Sequence, residues 1–114
     1  TRDGTCIRDY IHVMDLADAH RKTLEHLFIS EVTNLTLNLG TGQGTSVLEL
    51  IKTFEQSNSL KIRYSFNERR LGDVAEIYAD TNRAKKIIGW ETKRNLTQMC
   101  IDGWNWKLKN PKGY

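Results

Sequence analysis

Proline is nearly absent from this chain: Pro111 is the single one in 114 residues. Its scarcity removes the main obstacle to regular helices and excludes collagen-like or proline-rich low-complexity architectures. Cysteine is also scarce, with Cys6 and Cys100 almost at opposite ends and no CxxC spacing. Two such thiols cannot build a disulfide scaffold, so reduced cysteines and a cytoplasmic location are expected. Long apolar runs are missing, which excludes a hydrophobic membrane-spanning segment. Familiar reaction centres are missing too. There is no GxSxG, and no Tyr-x-x-x-Lys pair, since Met14, Glu68 and Asn82 stand four residues after Tyr10, Tyr64 and Tyr78. His12, His20 and His26 lack metal-ligand spacing, and neither cysteine completes a set, so structural roles are expected for them. What remains is 39% hydrophobic and 27% charged, the composition and size of one soluble globular domain.

Charge is unevenly spread. Residues 1–91 are close to neutral, whereas Lys93, Arg94, Lys107, Lys109 and Lys112 face Asp102 alone in the remainder. The net +3 therefore comes from the tail. There, Trp104, Trp106 and Tyr114 interleave with lysines, a pattern that nucleic-acid binding uses. Trp104 also belongs to an apolar helical stripe, and lysines at a helix C-terminus complement its dipole, so no nucleic-acid partner is expected.

Short strands alternating with four helices argue for an α/β fold. Residues 8–13 read as a strand, and Asp15 and Asp18 open a helix running to about Ile29, with Leu16, His20, Leu24 and Leu27 on one face. Leu35, Leu37 and Leu39 alternate on a second strand. Ser46-x-x-Glu49 is a capping box that opens a helix from Val47. Residues 61–66 alternate as a strand, and 75–79 form a short extended run. Asp80 caps a third helix that Gly89 ends, with Trp90 packing back. Asn95-x-x-Gln98 opens the last helix, whose inner stripe holds Leu96, Met99, Cys100, Gly103, Trp104 and Lys107 and stops before Pro111.

Three segments carry groups suited to a ligand. Gly40-Thr41-Gly42-Gln43-Gly44 lies between a strand and a helix, as a dinucleotide loop does, but Thr45 stands where a third glycine would. An anion-facing turn and a purely structural turn are the alternatives. Arg69-Arg70-x-Gly72-Asp73 offers guanidinium groups for phosphate and a carboxylate for sugar hydroxyls; a solvated turn is the plain alternative. On the strand at 8–13, Arg8 and Tyr10 point the same way and Asp9 points opposite, in structural support. A half-exposed strand is the alternative there.

Together these segments closely resemble the UDP-glucose 4-epimerase family of extended short-chain dehydrogenase/reductases. The resemblance runs from Gly4-Thr5 and Arg8-Asp9-Tyr10-Ile11-His12-Val13-Met14-Asp15-Leu16-Ala17-Asp18-Ala19-His20 through Asn38-Leu39-Gly40-Thr41-Gly42 and Ser46-Val47-Leu48-Glu49. It continues in Arg69-Arg70-x-Gly72-Asp73, Tyr78-Ala79-Asp80, Gly89-Trp90, Trp104-x-Trp106 and Asn110-Pro111-x-Gly113-Tyr114, and so covers essentially the whole chain.

The resemblance implies the C-terminal, UDP-sugar-binding third of such an enzyme, residues 1–114 forming one segment without the N-terminal Rossmann domain that holds NAD and the catalytic tyrosine. A chain beginning at Thr1 rather than Met agrees with a processed start or a piece of something longer. It further implies that Arg8 and Arg70 grip the diphosphate, Asp73 hydrogen-bonds the ribose and Val47 packs near the uracil. Tyr10 lies in the same segment, and Ile77 matches a position lining the sugar pocket, where residue size governs N-acetylated sugars. GTGQG matches the family's late turn beneath the uridine, not its NAD loop. The implied substrates are UDP-glucose and UDP-galactose, interconverted through a 4-keto sugar, with no activity in this chain by itself. In the family the strand at 35–39 joins the Rossmann sheet, so apolar faces left without that cover predict self-association into a homo-oligomer. A stand-alone nucleotide-diphosphate-binding module without catalysis is the alternative.

Overall fold

The computed structural model describes residues 1–113; Tyr114, the end of the expected tail motif, lies outside them. In chain order the elements are β1 (Ile7–Arg8), α1 (Val13–Ile29), β2 (Thr45–Ser46), α2 (Val47–Asn58), α3 (Asn82–Ile88) and α4 (Leu96–Lys109).

The four expected helices form, and local chemistry explains most of their ends. The capping box at α2 is complete: Glu49 N–H donates to Ser46 Oγ at 3.1 Å, and Ser46 N–H donates to Glu49 Oε2 at 2.8 Å. At α4, Gln98 N–H donates to Asn95 Oδ1. Gly89 closes α3 at φ 57°, a left-handed conformation that glycine adopts without penalty. Asp80 accepts from Asn82 N–H, one position ahead of the Thr81 N-cap. The start of α1 differs from expectation. Its cap is His12, whose Nδ1 accepts from Met14 N–H at 3.0 Å. Asp18 lies on the helix surface, paired with Arg21.

Asp15 points into the protein instead. Its carboxylate is 2% exposed and accepts from Lys93 N–H at 3.0 Å, Arg94 N–H at 2.9 Å and the Arg94 guanidinium at 2.5 Å. The Asp15 backbone carbonyl accepts from the Trp90 indole at 3.1 Å. One residue of α1 thereby fixes the chain that runs from α3 into α4. Around this tie Ala19, Ala84 and Trp90 form the core cluster, flanked by Ile11, Leu37, Leu39 and Ile88. The inner face of α1 is thus centred on Asp15 and Ala19, not on the leucines. Leu24 is 55% exposed, and Phe28 and Ile29 point outward at 85% and 86%. A small residue at Ala19 lets the helix approach the Trp90 ring, and that approach decides which face turns in.

Strands are fewer and shorter than expected. Antiparallel pairing joins Ile7 to Ser46 and Arg8 to Thr45. The 75–79 run contributes one parallel bridge, Ile7 to Glu76, with Ile77 N–H donating to the Ile7 carbonyl at 3.1 Å. Residues 9–12, 35–39 and 61–66 are not strands. A ladder needs a hydrogen-bonded neighbouring backbone, and among the described residues 35–39 and 61–66 form no such backbone pairing. The period-2 pattern is nonetheless real: Leu35, Leu37 and Leu39 are half-buried while Thr36 and Asn38 are exposed. α2 packs on α4, where Phe54 meets the edge of Trp104 at 5.8 Å. In the expected α4 stripe Cys100 is buried and Leu96, Met99 and Trp104 are half-buried, but Gly103 and Lys107 are exposed.

Burial opposes the charge on Asp15, but the N–H groups of Arg94 and Lys93 and the Arg94 guanidinium outweigh it and hold the carboxyl below its ordinary range. A depressed folded-state value means that this stabilisation is full above the unfolded carboxyl pKa and is lost as pH falls through the folded one. Asp15→Ala, which strands two backbone donors and a guanidinium, is expected to cost about 3 kcal/mol in urea unfolding at neutral pH. The difference between variant and parent should shrink in acid.

Candidate functional site

A cleft of about 810 Å³ opens between the first ten residues, the start of α2 and the loop at 65–75. Five of the six residues singled out from the sequence line it: Arg8, Tyr10, Val47, Arg70 and Asp73. Ile77 does not; it lies on the segment bonded to β1 and is 57% exposed.

The floor of the cleft follows from β1. Side chains alternate along extended backbone, so Cys6, Arg8 and Tyr10 share the side that faces the cleft. Arg8 is fixed by an Nη1 bond to its neighbour's carbonyl, Ile7 O, at 2.8 Å. Its Nη2 lies 3.8 Å from Asp73 Oδ1, while Arg70 Nε donates to Asp73 Oδ2 at 3.0 Å. The loop that carries Asp73 turns through Gly72 at φ 87°, with Asp73 N–H donating to Arg70 O and Arg69 Nη2 donating to Asp73 O. Two guanidinium groups from distant parts of the sequence thus converge on one carboxylate. Arg8 and Asp73 are largely sheltered, with side chains 29% and 24% exposed, whereas Arg70 is exposed at 85%. So exposed a pair contributes little to stability, and a ligand can compete for Arg70 at small cost. Burial pushes the Tyr10 phenol up, so it stays protonated at neutral pH. Tyr10 also borders a smaller cavity of about 280 Å³ with Thr41, Gln43 and Arg94.

Asp9 points the opposite way and organises the glycine turn. Its Oδ1 accepts from Thr41 N–H at 2.8 Å and from the Thr41 hydroxyl at 2.6 Å. Its Oδ2 accepts from Gly42 N–H at 3.0 Å and Ala79 N–H at 3.2 Å. Burial raises the Asp9 carboxyl, but these four donors, Thr41 foremost, bring it below its ordinary value. The alternatives left open for this turn are thereby decided. The amides that a pyrophosphate would need are bound to Asp9, and a Cβ on Gly40 would lie 2.3 Å from Asp9 Oδ2. A dinucleotide such as NAD does not fit here.

Local pattern did not reveal Cys6 and Phe66 as lining residues. The alternation that pairs Arg8 with Tyr10 extends back to Cys6 and was a usable signal; Phe66 had none. The entrance is braced by Asp3, whose carboxyl is pulled down to about 2 by the Ser46 hydroxyl and by the backbone and hydroxyl of Thr5. Arg2 pairs with Glu49.

Elsewhere two of the histidines have structural partners: His12 Nε2 donates to Asp102 at 3.0 Å, since its Nδ1 is the acceptor of the α1 cap, and His20 Nδ1 bonds Leu16 O. Among the described residues no group of three or more His, Cys, Asp or Glu could hold a metal ion. Neither cysteine is in a disulfide, and among those residues no helix is long and apolar enough to cross a membrane. In the tail, Lys107 Nζ donates to Pro111 O.

Comparison with known proteins shows the family. A family model described as GDP-mannose 4,6 dehydratase matches residues 1–102, and the chain belongs to that family. Within it, the sequences that this chain resembles at about half identity are UDP-glucose 4-epimerases. It is 52% identical over its whole length to 31% of UDP-glucose 4-epimerase 3 from Oryza sativa subsp. japonica. It is 49% identical, again over its whole length, to 33% of UDP-glucose 4-epimerase from Bacillus subtilis. The crystal structure of the Bifidobacterium longum UDP-glucose 4-epimerase, in complex with NAD+ and UDP, superposes with a TM-score of 0.91 at 44% identity. That match covers 100% of this chain and 33% of the solved one. The chain thus spans about a third of the length of the curated relatives it matches. Its helices and small sheet correspond to the C-terminal part of those enzymes.

The packing of the Asp9 tie is testable at Gly40, with Gly103 as the contrast. Gly40→Ala, whose Cβ would also lie 2.8 Å from that of Ala79, should destabilise the fold by about 2 kcal/mol. In α4 a Cβ on Gly103 meets nothing within 4 Å, and Gly103→Ala should stabilise by about 0.5–1 kcal/mol. Thermal melts of the two variants should shift in opposite directions.

Proposed function

We propose that this chain is the UDP-sugar-binding portion of an NAD-dependent UDP-glucose 4-epimerase, an isomerase of galactose metabolism. The observation that carries this is the cleft in which Arg8 and Arg70 converge on Asp73, with Tyr10 and Val47 on its walls. Two guanidinium groups suit a diphosphate, through charge-assisted hydrogen bonds of about 1.5–3 kcal/mol each. Asp73 accepts from ribose hydroxyls, Val47 packs beside the uracil, and Tyr10 contributes its hydroxyl to the same nucleotide. Ile77, outside the cleft but tied to its floor through Ile7, borders the sugar.

This division of labour suits epimerisation. A sugar oxidised at C4 must present both of its faces in turn, so it has to be loosely held while the nucleotide stays anchored. The chain's residues anchor; the hydride acceptor and the proton-abstracting tyrosine belong to the Rossmann portion that accompanies this segment in the family. The glycine turn, filled by Asp9, is not shaped as the NAD loop.

Two further features belong to the same proposal. The outward Val13, Met14, Leu24, Phe28 and Ile29 of α1 give the isolated chain an apolar face that favours self-association. Free thiols at Cys6 and Cys100 suit the cytoplasm.

Titration calorimetry with UDP tests the anchor. Arg70→Ala should weaken UDP about tenfold to a hundredfold while leaving the fold intact; unchanged affinity contradicts the assignment. The purified chain should show no interconversion of UDP-glucose and UDP-galactose, and measurable turnover would refute the division of labour. UDP binding without turnover also suits a stand-alone nucleotide-diphosphate module, and an upstream reading frame with a glycine fingerprint and Tyr-x-x-x-Lys separates the two.

A further inference from the structure

We infer that Asp73 is a built-in anion that reserves Arg8 and Arg70 for nucleoside diphosphates and turns away bare phosphate and pyrophosphate, an inference that rests on the site proposed above.

The geometry is that of a carboxylate sitting where a ligand's charge would go. One oxygen faces Arg8 at 3.8 Å and the other accepts from Arg70 at 3.0 Å. Arg8 cannot swing clear, because its Nη1 is bound to Ile7 O and its side chain is 29% exposed. The backbone that carries the carboxylate is constrained too. The Asp73 amide and carbonyl are both engaged by the Arg69–Arg70 turn, and Gly72 sets the direction of the chain. An incoming anion must therefore take two guanidinium groups from Asp73 and then lie beside a like charge.

Bare phosphate or pyrophosphate receives the arginines and nothing to offset the repulsion. It also leaves two carboxylate oxygens without their former partners. A nucleoside diphosphate carries its own compensation, since ribose hydroxyls donate to the oxygens that the phosphates have uncovered. Discrimination thus arises from a repulsive element that only the right ligand neutralises. A site that binds through a displaced hydrogen-bond acceptor rejects an analogue that lacks the matching hydroxyl. Inorganic phosphates would otherwise compete for any exposed pair of arginines.

The consequence has a sign that a purely ribose-holding Asp73 would not produce. Titrations of the 114-residue chain, of D73N and of D73A with UDP and with inorganic pyrophosphate, at one ionic strength, separate the cases. In both variants pyrophosphate should bind about fivefold tighter and UDP about fivefold weaker, so that the preference for UDP falls more than about tenfold. Unchanged or weaker pyrophosphate binding in the variants overturns the inference while leaving the nucleotide site in place. A second arm needs no substitution: 2′,3′-dideoxyuridine diphosphate, which cannot satisfy the carboxylate, should bind the unaltered chain far more weakly than UDP. Equal affinity for the two also overturns it. If the unaltered chain binds neither UDP nor pyrophosphate, the proposed site itself falls, and the inference with it.

Discussion

Four hydrogen bonds to the Asp9 carboxylate hold together everything that the cleft is built on. β1 is two residues long, and so is its partner β2. A ladder this short is not stable by itself. Asp9 supplies what the ladder lacks, by binding the turn before β2 and the segment at Ala79 to the end of β1. The amides involved would otherwise be partly buried and unpaired, so the carboxylate satisfies them while they keep it charged. Because alternate side chains on extended backbone face opposite ways, holding Asp9 on one side aims Arg8 and Tyr10 at the other.

The same device recurs elsewhere in the fold. Asp15 in α1 receives two backbone amides and a guanidinium from the link between α3 and α4. Asp3 joins the N-terminal segment to the cap of α2 through Ser46. Fully buried apolar side chains are few among the described residues: Ile7, Ala19, Ala84, Trp90 and Cys100. A chain with so small an apolar interior relies on carboxylates that bridge segments, and each of them has a depressed pKa as a result. Acid should therefore loosen the scaffold of the cleft along with its charge pattern.

Many of the helices could be read locally. Ser46 with Glu49, Asn95 with Gln98 and Gly89 act within one helical turn, so a few consecutive residues contain the whole interaction. Other sequence-based readings fell short for the opposite reason. Asp15 looked like a first-turn cap because its true partner, Arg94, is 79 positions away. The leucines of α1 share a face, but apolar spacing says which residues share a side, not which side meets Trp90. Residues 35–39 and 61–66 alternate as strands do, but alternation cannot say whether a second backbone pairs with them.

Residue type, spacing and local capping chemistry thus determined the four helices, the opposite aims of Arg8 and Asp9, and the kinds of group that a ligand would meet. Those interactions span a few residues and survive in isolation. Only the tertiary structure decided that Arg8 and Arg70 share Asp73, that the glycine turn is filled by Asp9, and that Ile77 lies outside the cleft. Each of these depends on residues separated by tens of positions arriving at one place. The direction in which a side chain points is local, whereas what it meets there is set by the folding of the whole chain.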